Sequence, residues 1–295
     1  MNTERVKNIL IVLLSLTAAT LVALIILEEN RFRLSGAQES AIIDLLARND
    51  IHFSAAMIGS ARPMHQLRLS PYNHDGNIDA LKARFFGGSI DYVRRYVEDN
   101  VDIYATDSKE MLFFRQENVI VFEIPDGLTS EAFEGNFGAS AAQALAEHYI
   151  NQIMGMPPYM ELFDISFNRD HAYVISFFST YRGHILHNDH IRVTVTSRGI
   201  THIFYSRIVN DSFIGEERSI FSGDEALLAL LNHLRHNLQI EGRIGIGGMY
   251  MAYFMTNNGI GVPVYVFTIT LGNDLRFNHI FNAQTNEHIW WERLW

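Results

Sequence analysis

At 295 residues the chain exceeds a single small module, and its 48% hydrophobic and 19% charged side chains provide apolar surface for a sizeable core rather than disorder. The formal net charge is -10. The 23 basic and 33 acidic residues leave 21 and 30 once Arg5, Lys7, Glu4, Glu28 and Glu29 of the first 30 positions are set aside, and no Lys/Arg run breaks the balance, which argues against nucleic acid as a partner. The absence of cysteine removes disulfides, thiolate metal sites and cysteine nucleophiles together.

From Ile9 to Leu27 nineteen residues carry no charge; as a helix rising 1.5 Å per residue they span about 28 Å, close to a bilayer core. A signal peptide would have a shorter apolar core and a small-residue cleavage site, whereas this run ends in Ile25-Ile26-Leu27 before Glu28-Glu29, so an uncleaved single-pass anchor is expected. Arg5 and Lys7 nearly balance Arg31 and Arg33, and the absence of a second span favours the N-terminus inside and the rest outside. Ser15, Ala19 and Ala23 recur every four residues and line one helix face, where a neighbouring helix could approach closely.

Beyond the anchor, Ser35 with Gln38 reads as a capping box opening a short amphipathic helix to Asn49. Strands are expected over Ile51 to Ile58, Met64 to Leu69, Val101 to Ala105, Met111 to Arg115 and Val119 to Ile124, with a helix from Ile78 to Phe86 stopped by Gly87-Gly88. A second capping box, Ser140 with Gln143, opens a helix to Met154, followed by strands Leu162 to Phe167, Ala172 to Tyr181, Ile191 to Ser197 and Thr201 to Ile208. The order recurs when Ser222 with Glu225 opens a helix bearing Leu227, Leu228, Leu231 and Leu234, followed by strands Met249 to Met255, Val262 to Leu271 and Leu275 to Phe281.

These elements predict an α+β chain: an N-terminal transmembrane helix, then tandem α-β-β-β modules whose antiparallel sheets are each covered by a helix. The expected blocks are 1–30 (tail and anchor), 31–136 (an N-terminal α+β module), 137–221 and 222–295 (the two α-β-β-β modules).

Few residues suggest chemistry. His184, His187 and His190, with Asp189, are the densest polar cluster; at a spacing of three on a glycine-containing hairpin they would not converge on a metal, and a solvated hairpin tip is expected. Gly242 to Gly248 lacks the Lys-Ser/Thr of a phosphate loop and reads as a linker before a strand, and Gly59-Ser60 lacks the flanks of a nucleophile elbow. Asp224 and Glu225 fit the favourable charge of a helix start. Of Phe113-Phe114 and Phe177-Phe178 only one member can join a given sheet face, while Trp290, Trp291 and Trp295 form a candidate docking patch at the chain end. No catalytic, cofactor or metal residues are expected.

The run from Arg5 to Leu27, the stretch Leu34 to Phe53 and the closing Val262 to Ile289 together resemble the YycI and YycH-like regulatory proteins of Gram-positive bacteria, and the length suits YycI better. The sheet modules also look like PepSY-type and YpeB-like units. This resemblance implies a non-enzymatic cytoplasmic-membrane protein with its domain outside. It would associate with a sensor histidine kinase of the WalK (YycG) type and a YycH-like partner, in two-component signal transduction controlling the cell wall. The alternative is an extracytoplasmic module that binds a protease, a wall hydrolase or an envelope ligand.

Overall fold

A computed structural model describes residues 13–22, 36–54, 62–74, 76–88, 93–125, 127, 137–168, 171–238, 240, 242–272 and 275–294. The chain is α+β, rich in antiparallel strands and poor in helices. It divides into two compact units, each drawn from separated stretches: 1–64, 217–250 and 265–294 in the first, and 65–216 with 251–264 in the second. The contiguous blocks read from the sequence do not address a division of this kind.

Residues 13–22 form helix α1, in which Thr17 and Thr20 donate their hydroxyls back to the Leu13 and Leu16 carbonyls, satisfying their own polar groups within the helix. No helix among the described residues is long and apolar enough to cross a membrane; the expected span from Ile9 to Leu27 lies partly outside them.

In the first unit, α2 (Gly36–Arg48) packs on β1 (Ile51–Phe53), which runs parallel to β12 (Ile244–Met255) through Ile51 opposite Ile244. Helix α5 (Gly223–Asn232) starts at the predicted box: the Ser222 backbone N–H donates to the Glu225 carboxylate at 2.8 Å, and Asp224 and Glu225 occupy the positive end of the helix. It continues as one π turn, His233–Asn237, and packs on β14 (Arg276–Asn282), which pairs with β15 (His288–Leu294) and with β13 (Ile260–Leu271). Leu46, Leu227, Leu230, Ile244, Tyr265, Phe267 and Phe281 are buried here, and Tyr265 satisfies its hydroxyl on the Phe221 carbonyl at 2.8 Å.

The second unit centres on one antiparallel run: β3 (Arg94–Glu98), β4 (Val101–Ala105), β5 (Glu110–Phe114), β6 (Val119–Glu123), β10 (Gly199–Ser206), β9 (His184–Thr196), β8 (Tyr173–Tyr181) and β7 (Met160–Phe167), each bonded to the next. Side chains alternate across it, so Met111, Phe113, Ile120, Phe122, Ile191, Val193, Ile203 and Tyr205 share one face. That face is closed by Ala142, Ala146, Ile150 and Ile153 of α4 (Ala139–Ile153) and by Leu81 and Phe85 of α3 (Ile78–Phe86). The α3 bounds are those predicted, because Gly87 takes a left-handed φ of 78° that ends the helix. Beside the run, β2 (Met64–Pro71) pairs with the start of β13; a Cβ on Gly261 would lie 2.5 Å from Leu69 Cδ1, so glycine is required for that approach.

Several expectations are corrected. Helix α4 is capped by Gly138 rather than Ser140, and Gln143 bonds forward to Glu147 instead of closing a box. Strands β3, β15 and β11 (Ile208–Arg218) were not anticipated: β3 is exposed throughout, and β3 and β15 each pair with a single neighbour at a sheet edge. Helix α5 is accordingly followed by four strands rather than three, and α4 by five rather than the four expected. The expected linker up to Gly248 is already strand from Ile244, where glycine serves close packing, since a Cβ on Gly248 would meet Thr268 Oγ1 at 3.1 Å. Ser35 and Gly59-Ser60 lie outside the described residues.

Phe122 is fully buried, with its ring 4.6 Å from that of Phe85. Phe122→Ala is expected to lower stability by about 3–5 kcal/mol, read from the urea midpoint by circular dichroism.

Candidate functional site

The face of the central run turned away from α4 carries the opposite members of the same strands. Leu112 lies across from Val121, Val121 from Phe204, and Phe204 from Arg192; Phe114 lies across from Val119, and His202 from both Glu123 and Thr194. They line a cleft of about 640 Å³, with Glu117 and Asn168 at its margin. Leu112, Phe114, Val119, Val121 and Phe204 are half-buried, so the floor is apolar, while Arg192, Glu117 and Glu123 provide charges of both signs. An apolar floor with few polar groups suits binding. Of the pair Phe113-Phe114, the first faces the core and the second this cleft, as strand geometry requires.

Next to this surface, β9 breaks register. Phe178 lies opposite His190 and Ser179 opposite Leu186, so residues 187–189 bulge out of the ladder. The bulge turns Asp189 inward against Arg207, Nε to Oδ1 3.1 Å, with only 1% of the Asp189 side chain and 12% of that of Arg207 exposed. Arg207 also donates to the Tyr205 hydroxyl at 3.3 Å and to that of Tyr159, and its guanidinium lies over the Tyr72 ring. Burial pushes the Asp189 carboxyl up to about 6, against the opposing pull of Ser179 and Arg207.

The histidines of this stretch are not a solvated hairpin tip. The tip is Arg182-Gly183, both at positive φ; His187 and His190 are buried on β9, where His190 stacks between Phe178 and Phe204 and bonds to the His187 carbonyl at 2.9 Å. They do not converge with His184 or Asp189 as metal ligands.

Among the described residues one group of three side chains does have that convergence, and the sequence reading missed it. His233 opens the π turn after α5, His279 lies on β14 and His288 begins β15; their ligand nitrogens all lie within 4.8 Å of one another. His279 is pushed down to about 4 by burial and by the neighbouring rings, and His288 to about 4 mainly by burial. The three positions are 46 and 9 residues apart, and no short spacing signals them.

Ser15 and Ala19 lie one turn apart on α1, both exposed, while Ala23 lies outside the described residues. Trp290 and Trp291 are adjacent on β15, 55% and 53% exposed, and therefore point to opposite sides; Trp291 packs edge-on against Phe277, and Trp295 lies outside the described residues.

No family model and no curated protein matches the chain. Among solved structures, an uncharacterized protein from Eubacterium rectale overlaps 82% of this chain and 91% of its own at 13% identity and a TM-score of 0.47. YycH from Bacillus subtilis overlaps 80% of this chain and 57% of its own at 13% identity and a TM-score of 0.47. The Bacillus megaterium YpeB C-terminal domain overlaps 77% of this chain and 100% of its own at 12% identity and a TM-score of 0.36. These are likenesses of fold, too distant to assign a function.

The buried pair gives a signed pH test. The Asp189 carboxyl holds its proton to about pH 6 in the folded chain but only to about 3.8 when unfolded, so its contribution to stability is present below 3.8 and is lost as pH rises to about 6. Denaturation midpoints of Asp189→Asn across this window are expected to lack that slope. Asp189→Ala, which strands a buried guanidinium, is expected to cost about 3 kcal/mol at pH 7.

Proposed function

We propose that the chain is a membrane-anchored regulator without chemistry of its own, acting on a two-component sensor histidine kinase that controls cell-wall and envelope homeostasis. It sits in the cytoplasmic membrane through one span, with the N-terminus inside and the chain from about residue 30 onward outside. It works through contacts with a kinase of the WalK (YycG) type and a YycH-like protein. Biasing a kinase requires only contacts that differ between its states.

The observation that supports this reading is the strand-built apolar cleft of the second unit, an open surface of the kind that suits binding. The uncharged run from Ile9 to Leu27, with Ser15, Ala19 and Ala23 on one face, supports a second contact inside the bilayer. The same cleft favours one other reading, an extracytoplasmic module that binds a protease, a wall hydrolase or an envelope ligand.

Co-purification from membranes distinguishes them. The tagged full-length chain is expected to bring down a histidine kinase, and changing Ser15, Ala19 and Ala23 to Leu is expected to abolish that capture. Val121→Glu in the cleft is expected to weaken capture of the YycH-like partner at least tenfold. Recovery of a hydrolase or protease that depends on Val121 but not on the helix face selects the second reading, and failure of every bait to bring down a kinase sinks the first.

A further inference from the structure

We propose that His233, His279 and His288 form a binding site for one late first-row divalent metal ion, zinc being the natural occupant, which clamps the end of α5 to the β14–β15 hairpin. The reading is independent of the cleft and of any partner.

Three observations carry it. The first is convergence: the three nitrogens already lie within 4.8 Å, and tetrahedral zinc with bonds of 2.0–2.1 Å needs them about 3.4 Å apart, a contraction within reach of side-chain rotation. His233 and His288 stack with ring centroids 4.0 Å apart and 16° between planes, so one of the two rings turns when an ion is shared.

The second is unmet bonding. His233 Nε2, His279 Nδ1 and His288 Nε2 are all buried and have no hydrogen-bond partner, although buried polar atoms are nearly always paired. The backbone at Trp290 interacts with the His288 ring. Nδ1 of His233 lies 3.3 Å from Nδ2 of Asn237, an amide whose two ends can exchange so that its oxygen accepts from Nδ1–H. Metal-bound histidines are oriented by such outer partners.

The third is that two separate irregularities of the backbone are needed to bring the rings together. Regular pairing of β14 with β15 would place Ile289 opposite Phe281; the register instead shifts after Ile280, and Phe281 faces His288. A one-residue shift reverses which face a side chain occupies, so the bulge moves His288 to the face of His279 and Phe281. On the helical side, α5 widens into the π turn at His233, closed by the Leu238 N–H on the His233 carbonyl. Turns of this kind are rare and concentrate at functional sites.

Three imidazoles with no thiolate and no carboxylate select zinc, copper or nickel over magnesium or calcium, and three protein ligands leave a fourth position for water. An ion held by the folded unit and not by the unfolded chain stabilises it.

The test uses the full-length chain in detergent, stripped with a chelator and titrated with zinc chloride in competition with a chromophoric chelator. One tight equivalent is expected. His279→Asn and His288→Asn are each expected to weaken it on the order of 100-fold, with His148→Asn on α4 as the unaffected control. Absence of a tight equivalent, or affinity unchanged in both site variants, overturns the proposal. Should the variants fail to fold by circular dichroism, the unaltered chain decides: zinc but not magnesium must raise its unfolding temperature, and zinc K-edge absorption must show three imidazole ligands. An equal response to magnesium or an oxygen-dominated ligand set rejects the site.

Discussion

The second unit is organised by the strict two-residue period of an antiparallel ladder. Once Met111, Phe113, Ile120, Phe122, Ile191, Val193 and Ile203 are committed to the face under α4, their neighbours Leu112, Phe114, Val119, Val121, Arg192 and Phe204 must lie on the other. The cleft is the complement of the core. Its apolar floor has no counterpart in the burial requirement of the sheet, because those residues are only half covered. Apolar surface on the open side of a sheet is available to a binding partner.

In both units buried polar groups gather where the regular structure is broken. In the second unit the bulge at residues 187–189 turns a carboxylate inward onto Arg207 and lets Asn188 accept both the Ser206 hydroxyl and the Met255 N–H. In the first, the shift after Ile280 and the π turn at His233 bring three imidazoles together. A regular strand or helix places polar side chains wherever its period dictates. Only an irregularity can redirect a single residue without moving the rest, and so bulges recur beside sites.

Much of the secondary structure could be read directly. Helix α3 and strand β4 fall on their predicted bounds, and the Ser222 to Glu225 box opens α5 as read, because these signals lie within a few residues of one another. The α4 start could not be read the same way: Ser140 with Gln143 has the right spacing, but the extended backbone at Gly138 starts the helix earlier. The histidines show the same limit at longer range. His184, His187 and His190 attract attention by their spacing, yet two are buried against phenylalanines on a strand, while the three that converge are scattered over 56 positions.

The uncharged Ile9 to Leu27 run, the acidic cysteine-free composition, the α+β class and the recurrence of a helix followed by strands are legible in the amino-acid order alone. These follow from local composition and periodicity, which depend on neighbours a few residues away. The tertiary structure decided which face of each strand is closed by a helix, where the ladder slips, and which titratable groups meet. Those outcomes are set by register between strands distant in the chain, and a slip of one residue, as between Ile280 and Phe281, changes the face of a side chain without leaving any mark on the local pattern.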